Sequence, residues 1–189
     1  MWYSLLESVT DAIVGGELAQ ALGSLPAWRL EKALSYRFDT DRYTCAKAYL
    51  MLRGLLRKHY GIDQDVEFGF GPCGKPFLKD FPSIHFNLSH CRRAVLCAVG
   101  DRPIGADVEE IQYDALLEQQ VFSDSERLYI GGSAQRFTEL WTRKESYLKL
   151  LGTGLCDDLK SVLDSAPAVF STSADLSAGV VTTVCEKLL

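Results

Sequence analysis

Residues 137–155, FTELWTRKESYLKLLGTGL, constrain this chain more than any other stretch. Read at helical period, Phe137, Leu140, Trp141, Leu148 and Leu151 fall near one stripe, which calls for a helix with one side against a core. Glu145 and Lys149 stand four apart and lie one above the other on a single face. Thr153, between Gly152 and Gly154, ends the helix in a turn free to take positive φ. Alone, such a Glu–Lys pair is an ordinary solvated pair. A second acidic pair upstream, Asp107 and Glu109, changes the reading, because the three carboxylates can meet at one site.

The chain has 189 residues, which suits one domain or two small halves packed as one. With 47% apolar residues it can bury a sizeable core, and this argues against disorder. The first residues carry no basic n-region, and no apolar run reaches the roughly 18 residues of a membrane span. A cytoplasmic location with no membrane partner is therefore expected. None of the six cysteines forms CxxC or pairs with a histidine at zinc spacing, so free buried thiols are expected. Net charge is −5, but residues 29–60 are basic and residues 101–130 acidic. One region could hold phosphate and the other a divalent cation. The acidic balance argues against a nucleic-acid partner.

In chain order, a short strand and a helix are expected within 1–28, and a short helix over 29–38 projects Arg29, Lys32 and Arg37. Residues 41–60 form a longer helix, capped by Asp39 or Thr40 and closed by Gly61. Leu52, Leu55 and Leu56 are its apolar face; Arg42, Lys47, Arg53 and Arg57 are its basic one. VEFGF at 66–70 alternates as a strand, and GPCGKPFL follows as an irregular loop holding Lys75 and Pro76. The GxxxxGK[ST] spacing is absent, so this is not a P-loop. IHFNLS, AVLCAVG and IGADVEE read as three strands, with Ser89 and His90 at a strand end. Strand period two puts Asp107 and Glu109 on one face and Ala106 and Val108 on the other. Adjacent carboxylates repel, which a strand accepts in open solvent or around a cation. Residues 114–130 hold one helix and then another started by Ser123 or Asp124, GGSA is a loop, and the chain closes in strands near Pro167 and Gly179.

Gly74-Lys75-Pro76, FNLSH at 86–90, GADVE at 105–109 and WTRKESYLKLLGTGL at 141–155, in that order, resemble the surfactin-synthetase type of 4'-phosphopantetheinyl transferase, of the holo-acyl-carrier-protein synthase superfamily. The resemblance covers roughly residues 29–155. It implies an α+β fold: a pseudo-two-fold arrangement of two similar subdomains, 1–102 and 103–189, each a small antiparallel sheet packed on a long helix, with the active site between them. It implies transfer of the 4'-phosphopantetheine group from coenzyme A to a serine of an apo acyl or peptidyl carrier protein, in fatty acid or secondary metabolite biosynthesis, releasing adenosine 3',5'-bisphosphate. Asp107, Glu109 and Glu145 would be ligands of Mg²⁺, or of Mn²⁺ in its place. Glu145 would also help deprotonate the serine, and Lys149 would steady the pyrophosphate. Ser89 and His90 would contact the nucleotide's phosphates, Lys75 and Pro76 the adenine side, and Arg29, Lys32 and Arg42 the ribose 3'-phosphate. Thr44 stands where the family often has a second arginine, with Lys47 one turn away as a substitute. A monomer is expected, because two fused halves already supply a site. The contrasting readings are a catalytically silent module that binds coenzyme A or a carrier protein, and a metal-dependent hydrolase of a small pyrophosphate.

Overall fold

The computed structural model describes residues 1–6, 8–154 and 159–188. Cys156 therefore lies outside the described residues, as do Glu7, 155, 157–158 and Leu189. The chain begins with β1 (Trp2–Leu6), then α1 (Val9–Val14), α2 (Glu17–Gly23) and α3 (Ala27–Leu34), leading to the long helix α4 (Asp39–Tyr60). A hairpin of β2 (Phe68–Phe70) and β3 (Pro76–Leu78) precedes β4 (His85–His90), β5 (Val95–Gly100) and β6 (Ile104–Glu110). Then come α5 (Ala115–Val121), α6 (Asp124–Ile130), the second long helix α7 (Ala134–Leu151), β7 (Ala168–Asp175) and β8 (Val180–Lys187). The fold is α+β, with small antiparallel sheets against long helices.

The local chemistry accounts for most of these boundaries. Gly61 and Gly152 end α4 and α7 in the left-handed conformation, at φ 67° and 71°. Ser123 starts α6 with a reciprocal capping box, its hydroxyl accepting from Glu126 N while the Glu126 carboxylate accepts from Ser123 N. Three expectations shift. Helix α4 starts without a side-chain cap, after Phe38, and α7 starts three residues earlier than the apolar pattern, because Ser133 caps it by accepting from Arg136 N. The N-terminal segment holds two short helices before α3 rather than one.

The two halves are built alike. Strands β1, β5 and β4 form an antiparallel sheet in that order, with α4 packed on it. Tyr49, Leu52 and Leu56 of α4 meet Phe86, Cys97 and Val99 in the core between them. Strands β6, β8 and β7 form the second antiparallel sheet, with α7 packed on it. A further core joins the halves: Ala94, just before β5, and Leu96 and Ala98 of β5 pack on Ile104, Ala106, Val108, Val180 and Val184 of the second sheet. The alternation in β6 thus sends Ala106 and Val108 into this shared layer, as the strand period requires. In α7, Phe137 and Leu148 are buried, but Leu151, the last residue of the helix, is 48% exposed.

Strand β6 lies almost backbone to backbone against α7. A Cβ built on Gly105 would fall 1.8 Å from Ser146 O and 2.6 Å from Leu150 N, so no side chain fits there without moving strand or helix. Gly105→Ala is expected to lose more than about 3 kcal/mol of stability in urea unfolding, since the obstruction is backbone rather than a flexible side chain. A loss below about 1 kcal/mol would show that the helix can ride away from the strand at little cost.

Candidate active site

Strands β4 and β6 are edges of different sheets, and they meet without a backbone ladder. Side chains of β4 take its place. Asn87 Oδ1 accepts from Ala106 N at 2.8 Å, and Ser89 Oγ accepts from Val108 N at 3.4 Å. Both steps advance by two residues in the same direction, so the two strands run parallel, joined by an amide and a hydroxyl. Asn87 belongs to the FNLSH motif, but its part was not assigned from sequence; only the pairing of distant strands reveals it.

The Ser89 hydroxyl does more than bridge strands. It donates to Asp107 Oδ1 at 2.8 Å and accepts from Lys149 Nζ at 3.0 Å. Lys149 Nζ also donates to Asp107 Oδ1, at 2.5 Å. Asp107 is buried, with 1% of its surface exposed, rather than on a wet strand face, and its Oδ2 has no hydrogen-bond partner. Glu109, two residues on and half-buried, has its pKa pushed up to about 7 by burial and by the Asp107 charge. Glu145 of α7 is raised too, first by burial and then by Asp107, against the pull of Lys149. The three acids predicted to meet are therefore close enough to perturb one another, across one strand and one helix.

Glu145 and Lys149 open onto a cleft of about 370 Å³, lined also by Gly74, Lys75, Pro76, Asn87, Gly152 and Gly154. The GKP loop is thus one wall of the cleft. The Lys75 ammonium, however, is committed elsewhere. It donates to Ile104 O at 3.0 Å and Leu150 O at 2.9 Å, tying the start of β6 to the last turn of α7. Its stem lies over Gly152, where a Cβ would meet Lys75 Cδ at 3.0 Å. Burial lowers its pKa. Cys73, on the same loop, is exposed, whereas Cys45, Cys97 and Cys185 are buried free thiols, as expected of the cysteines generally.

The other candidate residues stand apart from this cleft. Period two sends His90 to the opposite face of β4 from Ser89, into a depression with Thr40, Asp41, Thr44 and Arg92. The surrounding protein and then the Lys149 charge lower its pKa. Arg29 donates to Cys45 O at 3.0 Å, with its guanidinium near the rings of Trp28, Tyr49 and Phe68, and its buried Nε has no partner. Lys32 Nζ lies 5.0 Å from the Tyr36 ring centre, and Arg42 donates to Tyr36 O and Asp39. Thr44 is buried, with its hydroxyl turned back on Asp41 O. Lys47, the proposed substitute, pairs with Glu17 of α2 at 3.1 Å and so faces the N-terminal helices. Lys144, beside Glu145 in sequence, is fully buried; it pairs with Glu126 at 2.8 Å and donates to Leu159 O at 2.8 Å, fixing α7 against α6 and the chain beyond 159.

The donor set suits a hard divalent cation. It is three carboxylates, two with raised pKa, beside an orphaned buried oxygen, Asp107 Oδ2. Among the described residues no three His, Cys, Asp or Glu side chains are gathered closely enough to enclose an ion as they stand. Like charges spread apart, and Lys149 supplies the counter-charge that Asp107 needs.

Comparison with known proteins shows what these residues are similar to. Residues 103–178, which carry β6 and α7, match the 4'-phosphopantetheinyl transferase superfamily. The chain is 29% identical over 153 residues to a 4'-phosphopantetheinyl transferase of Bacillus subtilis, covering 77% of this chain and 68% of that protein. It is 37% identical over 122 residues to the transferase gsp of Aneurinibacillus migulanus, covering 61% and 51%. It is 31% identical over 138 residues to the transferase Sfp of Bacillus subtilis strain 168, covering 69% and 62%. The chain thus spans between half and about two thirds of the length of these relatives. The chain is thus similar, over part of its length, to 4'-phosphopantetheinyl transferases, and its residues 103–178 match the model of their superfamily.

Proposed function

We propose that this protein transfers the 4'-phosphopantetheine group from coenzyme A to a serine hydroxyl of an apo carrier protein, in a magnesium-dependent reaction that releases adenosine 3',5'-bisphosphate. What supports the reading is that Glu145 and Lys149 of α7 line one cleft, that Lys149 and Ser89 hydrogen-bond Asp107 of β6, and that the Asp107 charge is felt by both Glu109 and Glu145. Phosphoryl transfer asks the protein for positioning and charge neutralisation rather than covalent chemistry. Magnesium held by Asp107, Glu109 and Glu145 would neutralise a diphosphate in the cleft. Lys149, on the cleft wall, adds a cation where charge builds on the leaving group. Glu145 faces the same space, and burial raises its pKa, which makes it a stronger base for the proton of an incoming serine. Ser89 and Asn87 hold Asp107 and its strand in place. Monomeric state and a cytoplasmic setting are part of the same proposal; among the described residues no helix is long and apolar enough to cross a membrane.

One feature favours the silent binding module as the competing reading. Thr44 and the basic residues Arg29, Lys32 and Arg42 make their contacts within the protein, so the 3'-phosphate holds fewer ready partners than in a fully armed site. The deciding assay mixes the protein with coenzyme A, Mg²⁺ and a panel of apo carriers, then weighs the carriers by mass spectrometry. Transfer predicts a gain of one phosphopantetheine; no gain on any carrier supports the silent module. Asp107→Asn keeps the Ser89 and Lys149 contacts but removes the charge. It is expected to lower the transfer rate at least about hundredfold, since a metal-bound charge is worth several kcal/mol in the transition state. Wild-type rates in that variant would remove Asp107 from the cation site.

A pH dependence follows from Glu109. Its pKa in the folded protein, about 7, lies above the ordinary 4.5, so the folded state holds that proton more tightly than the unfolded chain. The resulting stability is present below about 4.5 and is lost as pH rises through about 7. In buffer with a chelator, the unfolding temperature should fall over that range, and Glu109→Gln should flatten the fall. Added Mg²⁺ should restore stability at the upper end. An unchanged pH profile in Glu109→Gln would show that Glu109 titrates normally.

A further inference from the structure

We infer that Lys149 exchanges partners when ligands load: it leaves Asp107 as that carboxylate takes a divalent cation, and turns its ammonium into the cleft to meet the diphosphate. Cation and diphosphate then favour each other's binding. This rests on the cation reading above and extends it to the order of events in the site.

Asp107 Oδ1 is shared by the Ser89 hydroxyl and the Lys149 ammonium, while Oδ2 is buried and open. An ammonium on one oxygen and a divalent cation on the other would repel strongly, because the carboxylate is only 2% exposed and little water lies between to screen them. One of the two has to give way. Ser89 cannot, because its hydroxyl is fixed by Val108 N across the strand seam. Lys149 can. Its side chain is 31% exposed, it sits on a flexible four-carbon stem, and it lines the cleft next to Glu145. Once turned from Asp107, its charge needs a new anion in a partly desolvated wall, and the diphosphate of coenzyme A supplies one. Lys149 is therefore a stand-in counter-ion that opposes cation binding alone and promotes it when the diphosphate is present. Linkage makes the effect reciprocal.

The test is Mn²⁺ binding, read by electron paramagnetic resonance of the free ion, with and without saturating coenzyme A. The wild-type protein should bind Mn²⁺ at least about tenfold more tightly with coenzyme A than without, toward the lower end of ordinary coupling between sites. Lys149→Met, checked for folding by circular dichroism, should bind Mn²⁺ alone at least about tenfold more tightly than wild type, and coenzyme A should add little more. Unchanged or weaker binding of Mn²⁺ alone in Lys149→Met overturns the exchange. So does a wild-type affinity that coenzyme A leaves unaltered, a result that does not depend on how the variant folds. Failure of both proteins to bind Mn²⁺ even with coenzyme A would instead remove the cation site itself, and the exchange with it.

Discussion

The Ser89 hydroxyl sits between two strands, an aspartate and a lysine, and the position of each depends on it. It accepts from Val108 N and Lys149 Nζ and donates to Asp107 Oδ1, so its whole hydrogen-bonding capacity is spent on the join between the two halves. Two sheet edges that met with bare backbone would leave buried N–H groups unpaired, at about 1–3 kcal/mol each. Asn87 and Ser89 remove that cost for Ala106 and Val108. Asp107 can then be buried on a strand that is itself held by side chains, with Lys149 as its counter-charge. Stripping the lysine away would leave a buried carboxylate short of partners, a change of about 3–5 kcal/mol in buried pairs generally. The same contacts that close the seam therefore hold a carboxylate ready for a stronger cation.

The two halves share an architecture but not a chemistry. Each sets a long helix against a three-stranded antiparallel sheet. In the first half the long helix spends its cations inside the protein, as Lys47 does on Glu17 and Arg53 on Asp65. In the second, α7 delivers Glu145 and Lys149 to the boundary, where β6 delivers Asp107 and Glu109. Gly105 lets the strand touch the helix backbone, and Lys75 clamps the strand's start to the helix's end from the opposite half. The acidic groups come from a strand and a helix that lie against each other at Gly105, which fixes their spacing.

What could be read from the chain alone was whatever depends on local period and on end chemistry. The α7 stripe except Leu151, the Gly61 and Gly152 stops, the Ser123 cap and the two faces of β6 follow from neighbours within a turn or two, and appear. What depends on distant partners could not be read. Lys75 lies 75 residues from the Leu150 carbonyl that holds it, and nothing in Gly-Lys-Pro announces that contact. Lys47 looked available for an anion because Glu17 is remote in sequence. Ser89 and His90 are neighbours in sequence, and strand alternation separates their side chains. Asp107 looked like a wet strand position because burial at a seam between two sheets leaves no mark on a strand's own pattern. The site's residues were thus visible as a set, while the contacts that orient them belong to the tertiary structure.

The most direct measurement is a crystal structure with coenzyme A and Mn²⁺, in which anomalous scattering locates the ion independently of its surroundings. The predicted result is one manganese peak within about 2.5 Å of an Asp107 oxygen and of the bound diphosphate, with Glu109 and Glu145 turned toward it. Coenzyme A seated in the cleft with manganese bound elsewhere, or with Asp107 still held by Lys149 alone, would contradict a cation site built across the β4–β6 seam.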